Sequence, residues 1–125
     1  MAGTRRDMVF VKEEELKKDI LSLTSASDLD FIILGYNDKD ELEVVKKGTG
    51  NIATFKGVLK SDSVNYIFMG TAVAEGNYSV QKNVLITWVG TEVGPLFRSM
   101  SAHHRVLLYK LGNAVIQMHG EYQAL

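Results

Sequence analysis

No cysteine occurs in the chain, so it can form neither a disulfide framework nor a thiolate-ligated metal centre. Proline is nearly absent too. The single one, Pro95, marks a place where a helix can begin, because its missing N–H would be unpaired in a first turn anyway. No apolar run approaches the roughly 20 residues that a membrane-spanning helix needs. The N-terminal Met1–Asp7 carries two arginines without an apolar core behind them, which argues against a secretory signal. These absences predict a cytoplasmic protein with no membrane span. Neither sign of charge dominates: 14 Lys and Arg stand against 15 Asp and Glu, a net charge of −1. Binding to nucleic acid is therefore not expected.

Motifs that place reactive groups are missing as well. There is no G-x-S-x-G elbow to present a serine nucleophile. Gly48-Thr49-Gly50 lacks a third glycine and a following Lys-Ser/Thr pair, so it reads as a turn and not as a phosphate loop. His103 and His104 are adjacent, and on a helix their side chains diverge by about 100°. They do not share a metal, and His119 falls on another element. One of the two neighbours is expected on the buried flank of its helix and the other in water. The acids Asp28/Asp30 and Asp38/Asp40/Glu41 fall at turns, where Asp serves backbone geometry. The expectation is a protein that is not an enzyme and holds no cofactor and no metal.

What is present is enough sequence for one domain, 125 residues of which 46% are hydrophobic. Its charges are unevenly spread. Eleven of the fifteen acids lie in residues 1–43, while residues 44–120 hold eight Lys and Arg against Asp62, Glu75 and Glu92. That asymmetry permits a locally positive face.

Taken in order, residues 7–25 read as a helix with an apolar stripe of Val9, Leu16, Ile20 and Leu23. Asp30–Tyr36 contains Phe31-Ile32-Ile33-Leu34, apolar on both sides, which predicts a central strand covered on both faces. Asn37–Asp40 is a turn, and Leu42–Lys47 returns as a less apolar strand nearer an edge. Asn51 can cap a short helix over Ile52–Lys60. Val64–Val73 and Lys82–Val89 are predicted as an antiparallel pair joined by a loop over Ala74–Val80. Ala114–His119 is the fifth strand. The pattern is mixed α/β, with a sheet sandwiched by helices.

The chain is organised around Lys82–Gly90 and the segment that follows it. Val84–Val89 is almost continuously apolar, and Trp88 in it reads as core. Pro95 starts the longest helix, and Gly112 stops it by tolerating positive φ. Leu96, Met100, Leu107 and Leu111 recur on one face, while Arg98, Arg105 and Lys110 lie off it and should reach water. Met100 fits packing by its spacing, and near the helix start it also reads as a partner-facing apolar anchor. From Val93 to Gly120 there is no Asp or Glu. A strand presenting Lys82 and feeding this helix reads as a surface for an acidic partner.

Two runs, Lys82-Asn83-Val84-Leu85-Ile86-Thr87-Trp88-Val89-Gly90 and Val93-Gly94-Pro95-Leu96-Phe97-Arg98-Ser99-Met100, resemble the motif strand and long helix of the actin-depolymerising-factor homology domain. Within that family the chain is most similar to the coactosin-like proteins. The resemblance implies a single domain over residues 1–125 with the family's gelsolin-like α/β fold, a five-stranded, mainly mixed sheet between helices. It implies a monomeric cytoskeletal protein that binds actin, filamentous more than monomeric, on the side of the filament and without strong severing. The alternative it leaves open is a relative with little filament affinity, acting on monomeric actin or on an actin-nucleating complex. The motif lysine falls on Lys82 and the basic helix position on Arg98. Arg105, two turns further on, matches more loosely, and Met100 supplies apolar area. These four residues are expected to converge into one actin-binding patch.

Overall fold

Five strands form one sheet in the order β2-β1-β3-β4-β5. They are β1 (Phe31–Tyr36), β2 (Leu42–Gly48), β3 (Val64–Glu75), β4 (Tyr78–Val89) and β5 (Ile116–Glu121), with helices α1 (Glu13–Ser22) and α2 (Pro95–Leu111). The structure, a computed structural model, describes residues 9–23, 29–49, 59–112 and 116–121. β1 is antiparallel to β2 and β3, β3 is antiparallel to β4, and β4 is parallel to β5. A parallel pair cannot be closed by a tight turn. α2 supplies the crossover between β4 and β5.

The α/β class and the mixed five-stranded sheet are as the sequence predicts. β1 is buried over Phe31–Gly35, as an all-apolar strand must be, and β2 lies at the sheet edge. On one face, Ile32, Leu34, Tyr66, Phe68 and Leu85 pack with Leu16, Ile20 and Leu23 of the α1 segment and Leu108 of α2. On the other, Phe31, Ile33 and Ile67 pack with Leu59, Met69 and Ile86. Both described helices thus serve the first face. Up to residue 58 the predicted helix Ile52–Lys60 lies outside the described residues, and Leu59 and Lys60 are not helical.

Two boundaries differ from the sequence reading, and one helix stop has a different cause. α1 begins at Glu13 and not near residue 7, because Val9 and Val11 are taken by the sheet: Leu42 N donates to Val9 O and Val11 N to Leu42 O. The predicted loop Ala74–Val80 is mostly strand. Val73–Glu75 pair with Tyr78–Val80, and the chain reverses at Gly76-Asn77 with Gly76 at φ +67°. A glycine first in a two-residue hairpin turn matches the strand twist. The stop at Gly112 is real, but its φ is −84° and not positive. Glycine is needed there because an added Cβ would meet the Phe68 ring.

β3 and β4 outrun their neighbours. Among the described residues, β1 pairs with β3 as far as Met69 and β5 joins β4 from Val84. Beyond these points the two strands pair with each other as a projecting two-stranded arm, tipped by Tyr78 at 68% exposure.

Candidate functional site

Lys82 lies at the base of this arm, in register with Thr71. Side chains alternate along an unbroken strand. Asn83 faces α2, where its Nδ2 donates to the Gly112 carbonyl at 2.9 Å, and Ile86 faces the opposite cluster. The regular β3–β4 register then puts Lys82 on the face away from α2. Its ammonium lies 3.6 Å from Glu75 Oε1, with the two side chains 33% and 46% exposed.

Arg98 is elsewhere. It sits in the first turns of α2 and points back into the loop that precedes the helix. Its Nε donates to the Val93 carbonyl and its Nη2 to the Gly90 carbonyl, both at 3.0 Å. Gly90 is eight residues beyond Lys82, roughly 26 Å at the ~3.3 Å rise of a strand. Lys82, part-way along β4, and Arg98, strapped to the loop beyond the end of that strand, are therefore far apart, and Lys82 faces away from the helix that carries Arg98. The single contiguous patch expected from the sequence does not form. The strand residues between Lys82 and the loop that leads into α2 keep the two cations apart.

The other two predicted residues are also repositioned. Met100 is 4% exposed, so it packs in the core and offers no anchor to a partner. Arg105 is half-buried rather than in water, and its charge acts on the Tyr66 hydroxyl. Lys110 is exposed, as predicted. The buried side of α2 is Met100, Ser101, His104 and Leu108, whereas Leu96 is 65% exposed. The leucine spacing missed this because two polar residues complete the buried side.

Those polar residues are held by tyrosines. The Tyr36 hydroxyl is 2.7 Å from the Tyr66 hydroxyl and 2.7 Å from His104 Nδ1, and Tyr66 donates to the Ser101 carbonyl at 3.4 Å. His104 is fully buried and His103 exposed, the division the adjacent pair was expected to show. Burial raises the pKa of both tyrosines well above the usual phenol value, and their mutual hydrogen bond modifies it. The network pins the end of β1 to α2. Trp88 Nε1 donates to the Lys60 carbonyl at 2.9 Å on the far face. Among the described residues no three His, Asp or Glu side chains are placed to hold a metal ion, and no helix is long and apolar enough to cross a membrane.

Sequence reasoning missed Tyr78, Glu75 and the arm that carries them. The signal was present, since Gly76-Asn77 between two strand-like runs is a hairpin turn pair.

Comparison with known proteins gives the molecule its family. Coactosin of Dictyostelium discoideum is 24% identical over 99 residues, which cover 78% of this chain and 68% of that protein. Coactosin from Entamoeba histolytica has the same fold, with a TM-score of 0.78 and 18% identity over 94% of this chain and 86% of that one. Mouse coactosin, described as an actin filament binding protein, gives a TM-score of 0.70 and 17% identity over 93% of this chain and 81% of its own. Residues 8–124 match the family described as cofilin/tropomyosin-type actin-binding protein. With nearly its whole length matched and the actin-depolymerising-factor homology fold in place, the chain belongs to that family of actin-binding proteins.

Proposed function

We propose that this protein binds the side of actin filaments without strong severing and acts there as a non-catalytic, cytoplasmic modulator of the cytoskeleton. The observation that carries the reading is the position of Lys82, on a projecting arm and on the sheet face turned away from both described helices. A cation on a narrow ribbon reaches acidic side chains on a large partner without a clash from the body of the domain. The exposed Tyr78 at the tip adds an amphipathic ring of the kind that anchors interfaces.

The exposed Leu96, in the first turn of α2, offers a second and separate contact. Two separate contact regions suit a partner built of repeated subunits better than one small site. Actin binding through Lys82 is tested by co-sedimentation of Lys82→Ala with filaments across a salt series, where loss of pelleting supports it.

One observation favours the alternative, a relative with little filament affinity that acts on monomeric actin or on a nucleating complex. Arg98 is committed to the Gly90 and Val93 carbonyls, and this removes one of the cations the filament reading counted on. Recovery of monomeric actin or a nucleating complex from extract, with no filament pelleting at low salt, would decide for it.

A further inference from the structure

From Ser63 to Thr91 the sequence has two charged residues, Glu75 and Lys82, and they face each other across the arm at 3.6 Å. Glu75 lies four residues beyond Thr71, the register partner of Lys82. Even-numbered steps keep both on one face, and four residues of strand span ~13 Å. The lysine stem must therefore lie down along the ribbon to meet an extended glutamate. A lysine held this way is not standing free in solution.

We propose that Glu75 is an internal competitor for Lys82, a carboxylate that occupies the ammonium until a partner's carboxylate replaces it. The inference rests on the reading that Lys82 contacts actin. Docking then exchanges one ion pair for another, and the gain is only the difference between them. The Lys82–Glu75 pair is solvent-accessible, so what it withholds from a partner is small, and Glu75 sets the affinity of the arm by a few-fold.

The test compares Glu75→Gln, Lys82→Ala and the double variant in filament co-sedimentation at low salt. Glu75→Gln keeps the shape and hydrogen-bonding reach of the side chain while removing its charge. It is expected to tighten binding by about two- to fivefold, the range exposed ion pairs span. That gain should vanish in the Lys82→Ala background. If Lys82→Ala loses binding while Glu75→Gln leaves it unchanged or weakens it, the competitor is overturned and the Lys82 contact stands. Equal tightening in both backgrounds also overturns it, because Glu75 would then act as plain repulsion. If Lys82→Ala binds as the wild type does, the contact reading falls and the competitor with it.

Discussion

Arg98 donates through Nη2 to the carbonyl of Gly90 at 3.0 Å, so a cation placed by sequence on the binding surface serves instead to close the β4–α2 loop. With Nε on the Val93 carbonyl, the guanidinium straps both ends of the loop at once. Arg98→Ala is expected to cost about 1.5–3 kcal/mol of stability, the range for hydrogen bonds to a charged group. Arg98→Lys should recover little of it, because a single ammonium cannot reproduce the planar fork. Chemical denaturation measures both. A wild-type midpoint for Arg98→Ala would return the residue to the list of partner contacts.

The paired hydroxyls of Tyr36 and Tyr66 predict an alkaline limit. Both phenols have folded-state pKa values raised chiefly by burial, so the folded state binds their protons more tightly than the unfolded chain does. Stability from this source is complete below the unfolded phenol pKa of about 10 and falls as pH rises beyond it. Of the five tyrosines, these two should ionise only as the protein unfolds. Phenolate absorbance and circular dichroism followed together above pH 10 check this. Tyr36→Phe should cost about 1–3 kcal/mol by leaving His104 Nδ1 and the Tyr66 hydroxyl short of a partner.

Gly112→Ala tests a close approach. The added methyl would meet Phe68, which is fully buried, and overpacking of this kind costs about 1–3 kcal/mol. The cost should shrink in a Phe68→Leu background, as a double-mutant cycle would measure. A purely conformational role for Gly112 predicts no such coupling.

Met100 separates packing from contact. At 4% exposure, Met100→Ala should cost about 2–5 kcal/mol of stability and leave filament binding per folded molecule unchanged. Denaturation and co-sedimentation on the same preparation give the two readouts.

These cases show what the sequence could and could not disclose. The sheet was legible because Phe31–Leu34 and Val84–Val89 are apolar runs of strand length, and Pro95 and Gly112 bracketed α2 correctly. Val9–Val11 fitted a helical stripe by spacing, yet backbone bonds to Leu42 won, which no local pattern contains. The candidate site was half legible. Lys82 could be singled out by its motif, but whether it shares a face with Arg98 depends on strand parity and length over Lys82–Gly90. His104 in the buried side of α2 was invisible to apolar spacing, because its burial is permitted by the hydroxyl of Tyr36, 68 residues earlier in the chain.

The claim that the arm is the filament-binding element meets its most direct test in Lys82→Ala. Lys82 is a third exposed and paired only at the surface, so its thermal midpoint should stay close to wild type. Filament co-sedimentation at low salt should show affinity reduced about two- to fivefold, the range of a solvent-accessible ion pair, together with a shallower dependence on salt. Wild-type affinity and an unchanged salt dependence in a folded Lys82→Ala protein would contradict the account.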